Sequence, residues 1–590
     1  VGRCAATRSE ATLVAWLDGP ADRAREAALG LGDLAGQTKR LREETLVALL
    51  ARAEGGVSSP PLPEALYPLS RLENVPPSVT ARVAQVARGR LADPGPYRLF
   101  AIRALGRARE SGVEPLDRAI LAATPSNLTM PERVEVVRAI ARLGTEGQVL
   151  LGKVAAKMAE DTAALASLDD AAVLAAALAG LKNPKGTDAG AIDKLAKLAA
   201  PAGADARTRR ALSAIRCAAA KIVVKRAADP VLLGCDLDKG YVGKRAFAEV
   251  LGRSEIVGPA VKMFRDLLAD SDVRVREAAL ELLPGHPEIE GPAAILEAAL
   301  GAKEPGVAST AAEQIKKNPN LAADRKVAGK KKPAAKGDEK DKDKDKPAEK
   351  PAAPAELPAP DVGVVKALEA LLERAEKDRD LEMLGAVIDA MGALGSKELT
   401  KRVEPHCRSA YPAAREHAAA ALTLLGGKKV TCDAPDRDPE VAPEAMQPEK
   451  AVDLILDTDA GELVISLDPA AAPVTALRLA DLARSGYYDG NVIHRVDPSF
   501  VVQFGAPFPD GYAGPPGRMP LRCETSPAPF EELGVGLALA GRDTGSSQLF
   551  VMRARHPHLD GLYPLIGKAS GPWSSVIEGD VIKKVKVVEK

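Results

Sequence analysis

The hydrophobic period of this chain changes near residue 450, and that change limits its architecture more than any other feature. Upstream, apolar residues recur every three or four positions in short runs separated by Gly and Pro. Examples are Ala11–Trp16, Ala21–Leu29, Tyr97–Arg109, Val134–Leu143, Ala171–Leu181, Ala246–Leu251 and Val261–Leu268. This is the spacing of amphipathic helices. Downstream the alternation has period two. Leu454–Leu456 and Leu463–Leu467 read as strands around a turn at Asp459-Ala460-Gly461. Pro473–Arg484 reads as a helix with Pro in its first turn, and short strands bounded by Gly and Pro follow to Lys590. The expected protein is multidomain: an all-α solenoid followed by a mainly antiparallel β-barrel domain.

The boundaries follow from composition. Residues 1–318 read as solenoid, 319–361 as a disordered linker, 362–428 as further helical repeats, 429–450 as a shorter linker and 451–590 as the β domain. The first linker carries Lys330-Lys331-Lys332, then alternating Asp and Lys to Lys346, then a Pro/Ala run to Pro360. Its alternating-charge part has no apolar residues with which to build a core, and its Pro/Ala part should be extended and semi-stiff. Aromatic residues are 3% of the chain although hydrophobic ones are 46%, so Ala and Leu must fill the helical core. Lys+Arg and Asp+Glu are both 81, which argues against a whole-chain nucleic-acid binder. No run of 18 apolar residues predicts a membrane span.

The stretch Asp270–Leu283, ending at Pro284, is the clearest helical unit. An Asp caps its start, Val273, Ala279, Leu280 and Leu283 face inward, and Arg276 points outward or to the next repeat. It resembles the second helix of a HEAT repeat, with echoes at Asp22–Leu29, Pro131–Ile140 and Pro412–Leu422. Stacked repeats create a long surface suited to a protein partner, or a plain scaffold. No constellation in this region suggests chemistry of its own.

Cys217 and Cys235 are close enough in sequence to bridge neighbouring helices, as are Cys407 and Cys432. Bridges would imply an oxidising compartment, whereas four buried thiols would not; both readings stand. The chain opens on Val, and Arg3 before Cys4 disfavours a lipid anchor. Periplasm or cell envelope is the expected location, with the cytoplasm as the alternative. His406, Cys407, His417 and Cys432 fit no zinc spacing, so neither metal nor cofactor is expected.

Candidate functional residues cluster in the last domain. Ile493–Gly505, Gly541–Phe550 and His558–Gly561 bring together a cation, two amides and several apolar side chains. Ordered motifs surround them: Gly461–Leu467, Ala472-Pro473-Val474-Thr475, Gly486-Tyr487-Tyr488-Asp489-Gly490, His494-Arg495-Val496, Phe500-Val501-Val502-Gln503, Gly545–Phe550, His558-Leu559-Asp560-Gly561 and Gly567. Residues 451–590 therefore resemble a cyclophilin, and the fusion to a HEAT-like region looks like a known bacterial arrangement. The resemblance implies peptidyl-prolyl cis–trans isomerase activity on proline-containing protein clients. It implies that Arg495 is catalytic, and that Phe500, Val501, Gln503, Leu539, Gln548, Phe550, Leu559 and Tyr563 bind substrate. Four positions depart from the family pattern; Leu539 replaces a common Asn, where only backbone contact is expected. Phe504 replaces a usual Gly and is expected to crowd the strand or groove. Tyr563 replaces a common His. His558 stands in place of a Trp and implies weak cyclosporin sensitivity. A catalytically weak Pro-binding scaffold is the alternative function.

Overall fold

A computed structural model describes residues 8–55, 60–92, 94–121, 127–162, 165, 167–182, 188–223, 234–253, 255–323, 359–433 and 450–590. The helices from Arg8–Trp16 to Pro412–Gly426 pack on one another and share one apolar core running from Leu13 to Leu425. Close approach depends on small residues. A Cβ added at Gly392 would lie 2.6 Å from the Cα of Ala421, so this helix pair needs Gly there.

The helix Val273–Leu280 shows how local sequence builds the stack. Asp272 caps it, accepting a hydrogen bond from the backbone N of Arg274 at 3.0 Å. Val273, Ala279, Leu280 and Leu283 are buried as expected, and so is Val275. Arg276 reaches Glu304, at 3.0 Å, just before the helix Pro305–Lys317.

Two disulfides join Cys217 to Cys235 and Cys407 to Cys432. They close loops of 18 and 25 residues, each worth about 3 kcal/mol in the chain-entropy account. Alkylation of the denatured, non-reduced protein should label two of its six cysteines, Cys4 and Cys523, and all six after reduction. Six labels without reductant would refute both bridges. Cys4 itself lies outside the described residues.

The expected first linker begins too early. Pro319–Ala322 forms a short 3-10 turn with Leu321 and Ala322 buried, because these apolar residues still find the helical core. The Asp361 backbone N donates to the Ala322 carbonyl at 2.6 Å. The helix Pro292–Leu300 packs against Val362–Asp378, and Pro305–Lys317 against Leu381–Leu394, so the helices on both sides form one stack. The charged and Pro/Ala-rich residues 324–358 lie outside the described residues, as do 434–449 of the second expected linker.

The C-terminal domain is a curled antiparallel sheet of eight strands: β1 Val452–Thr458, β2 Gly461–Leu467, β3 Arg495–Val496, β4 Val501–Phe504, β5 Gly534–Leu537, β6 Leu549–Met552, β7 Leu565–Ser570 and β8 Ile582–Glu589. Their spatial order is β3-β4-β6-β5-β7-β2-β1-β8. The two edges approach through the segments that lead into them: Gly490 N donates to Ile582 O at 2.7 Å, and Ile582 N to Asn491 O at 2.8 Å. Alternation fills the interior with Val452, Leu454 and Leu456 from β1 and Leu463, Ile465 and Leu467 from β2. The helix Pro473–Arg484 covers this core, with Pro473 at its first position.

The helical stack grips the β domain along much of its length. From the helix Met130–Ile140, Arg138 reaches Asp497 at 2.9 Å, and Glu135 accepts from the Ser499 hydroxyl at 2.6 Å. From Ala206–Val223, Arg207 donates to Asp580 at 3.0 and 3.1 Å. Tyr241 donates to Glu578 at 2.8 Å, and Gly517 N to the Asp378 carbonyl at 3.2 Å. Asp580 is fully buried, so this is desolvated ionic docking.

Candidate active site

Strand register builds the site. Arg495 on β3 lies opposite Gln503 on β4, Gln503 opposite Phe550 on β6, and Phe550 opposite Gly536 on β5. One row across four strands thus carries a cation, an amide, a ring and a glycine. The glycine is required: a Cβ at Gly536 would sit 2.2 Å from the Phe550 Cζ. The Phe550 ring therefore rests on the bare backbone of β5.

Around this row a second apolar cluster separates from the barrel core. Val501, Phe530, Phe550, Met552 and Leu559 are buried in it, with Phe500, Ala538, Tyr563 and Leu565 packed at its margin. Tyr563 meets Phe550 edge-on at 5.7 Å, and Phe530 lies 5.5 Å from the same ring. Phe500 stacks with His558 at 5.8 Å and lies 4.5 Å from His556. Burial holds the His556 imidazole well below its ordinary pKa, so it is neutral, with Nε2 2.9 Å from the Ser499 carbonyl. Asp560 fixes the Leu559 turn, accepting from the Phe530 backbone N and from Arg555.

The polar edge is continuous. Arg495 is exposed, its Nη1 donates to Gln503 Oε1 at 3.2 Å, and its guanidinium lies 5.6 Å from the Phe500 ring centre. Gln503 Nε2 donates to Gln548 Oε1 at 3.0 Å, and Gln548 Nε2 to the Gly511 carbonyl at 2.7 Å. Beside Arg495, His494 is held neutral, its pKa pushed down to about 4 by burial and by the neighbouring cation.

This arrangement sets an exposed cation beside an apolar cluster, and among the described residues of the site no nucleophile is hydrogen-bonded to a base. Among the expected site residues, Arg495, Phe500, Val501, Gln503, Gln548, Phe550, Leu559 and Tyr563 come together here. Leu539 stands one step aside, after β5, partly packed against the main core. There, Ala538 N donates to the Gln548 carbonyl at 2.9 Å.

Phe504 does not crowd the groove. Alternation along β4 sends Val502 and Phe504 inward and Gln503 outward. Phe504 is 1% exposed and packs against Tyr488 and Trp573. Sequence reading missed Phe530, His556 and Gly536. Phe530 follows Pro527-Ala528-Pro529, where no periodicity marks a core position.

The family model "Cyclophilin type peptidyl-prolyl cis-trans isomerase/CLD" matches residues 452–590. Peptidyl-prolyl cis-trans isomerase B of Bacillus subtilis is 37% identical over 132 residues, covering 22% of this chain and 92% of that protein. The peptidyl-prolyl cis-trans isomerase of Synechococcus elongatus is 36% identical over 139 residues, covering 23% of this chain and 94% of that protein. A crystal structure of a Cryptosporidium parvum cyclophilin covers 24% of this chain and 99% of its own, at 22% identity and a TM-score of 0.23. By the two sequence matches, the chain belongs, through its C-terminal domain, to the cyclophilin-type peptidyl-prolyl cis-trans isomerases.

Proposed function

We propose that the chain isomerises X-Pro bonds in protein clients, with Arg495 assisting the twist of the prolyl amide and the HEAT-like helical region holding a client or partner. The observation that carries this reading is the row Arg495–Gln503–Phe550–Gly536 beside an apolar cluster of Phe500, Val501, Phe550, Leu559 and Tyr563. Amide rotation faces a barrier of ~18–20 kcal/mol because the nitrogen lone pair is delocalised. Twisting returns that pair to nitrogen, and a guanidinium at the cluster's edge stabilises the twisted state more than the planar one. Phe500, Val501, Phe550, Leu559 and Tyr563 would hold the ring, and Gln503 the neighbouring carbonyl.

The test is cis–trans exchange of an Ala-Pro peptide followed by NMR with catalytic amounts of the full chain. Acceleration proportional to protein concentration is expected; an exchange rate equal to that of peptide alone overturns the proposal. The alternative, a Pro-binding scaffold of weak activity, predicts saturable binding without acceleration. Its grounds are Phe504 and the much larger helical region; the inward orientation of Phe504 removes the first. Gly536→Ala should lower kcat/KM about tenfold to a hundredfold by displacing the Phe550 ring. The same assay checks this, and an unchanged kcat/KM would show that ring placement is immaterial. The two disulfides support a periplasmic or cell-envelope location, which we propose on that ground.

A further inference from the structure

A groove along the Gln503–Gln548 edge, next to the apolar cluster read above as the proline site, continues beyond the β domain. A cleft of about 420 Å³ has Gln503, Leu539 and Gln548 on one side and the turn Asp378–Glu382 of the helical region on the other. The loop from Gly505 to Pro520 walls it and is fastened on both faces. Gln548 holds it at the Gly511 and Ala513 carbonyls, and the Asp378 carbonyl holds it at the Gly517 N. Chain extending from a proline at that cluster along Gln503 and Gln548 would run beneath this helical turn. A volume of this size takes a few residues of extended polypeptide.

The cleft is charged unevenly. Arg374 is committed, donating to the Ala302 and Lys303 carbonyls at 2.7 and 2.6 Å and pairing with Asp378 at 3.6 Å. Lys303, Arg379 and Arg518 are exposed cations elsewhere on its surface. Glu382 is different. It is exposed to the cleft and, among the described residues, its carboxylate has no hydrogen bond or ion pair. The cleft's low-dielectric walls and then the like charges of Asp380, Glu313 and Asp510 push its pKa up to about 7. A client's ammonium or guanidinium placed there would relieve that repulsion.

We infer that the helical region forms part of the substrate groove, with Glu382 selecting clients that carry a lysine or arginine within a few residues of the proline. This rests on reading the β-domain apolar cluster as the proline site. Glu382 also lies in the first turn of the helix Leu381–Leu394, where a carboxylate favours the helix regardless of substrate. The test must therefore read client charge rather than stability.

The full chain, Glu382→Gln and the exposed control Glu416→Gln would be given Ala-Pro peptides with Lys, Gln or Glu three residues before, or three residues after, the proline. Binding is read by fluorescence anisotropy and turnover by NMR exchange. The wild type and the control should favour Lys over Glu about fivefold in at least one series, and Glu382→Gln should bring the ratio near one. Added salt at ~1 M should erase the preference in wild type without any mutation. Equal treatment of Lys and Glu peptides by the wild type, a preference for Glu, or a Lys preference surviving in Glu382→Gln would overturn the inference. Turnover of the Gln peptide by wild type tests the isomerase reading separately. If it is absent while a Lys-selective affinity depends on Glu382, the isomerase reading fails and the charged cleft stands.

Discussion

Replacing Arg495 with alanine should lower kcat/KM for an Ala-Pro peptide by about 10²–10³-fold, the usual cost of removing one transition-state donor. On the proposed mechanism the loss falls mainly on kcat, because the guanidinium would gain most as the amide twists. Stability should hardly move: the side chain is exposed and makes one hydrogen bond, to Gln503. A shift within about ±0.5 kcal/mol is therefore expected on urea denaturation. Arg495→Lys keeps the charge but loses the planar fork, and should recover part of the rate. A full rate in Arg495→Ala would show that the apolar cluster alone, by desolvating the amide, does the catalysis.

The second large effect is on docking. Arg207→Met should destabilise the chain by about 3–5 kcal/mol, because it strips a buried carboxylate of its best partner. Asp580 is fully buried, accepts two bonds from Arg207, lies 3.3 Å from Arg210 and also accepts from the Ile577 backbone N. Methionine keeps most of the arginine's volume, so the cost is electrostatic rather than a cavity. Asp580→Asn combined with Arg207→Met should cost less than the two separately, since no unpaired charge remains. Urea midpoints of the four proteins measure this cycle, and additive costs would mean that the pair is not coupled.

Much of this was legible in the sequence where the signal is periodic or local. The switch from period 3.6 to period 2 separates the helices from the sheet, and Pro473 starts its helix where the sequence places it. The Asp cap before Val273 is a local device and reads correctly. What was not legible depends on pairing between distant residues. Gly536 matters because β5 lies beside β6, and no residue near it announces that Phe550 will cover it. Phe504 was misjudged because a substitution was weighed without asking which face of β4 it occupies. Asp378–Glu382 lines the groove through a contact between segments more than a hundred residues apart, which no motif records.

The hydrogen bond between Asp361 and Ala322 has a consequence for chain topology. The described residues that bracket the charged stretch, Ala322 and Asp361, meet through this bond, so the helices before and after it are not held apart. The stretch is an insertion into a continuous stack, and a short turn could replace it without moving a helix. Doubling the length of such an excursion costs about 0.6 kcal/mol in closure entropy. That part of the chain is therefore free to lengthen, shorten or change its composition while the fold on either side stays as it is.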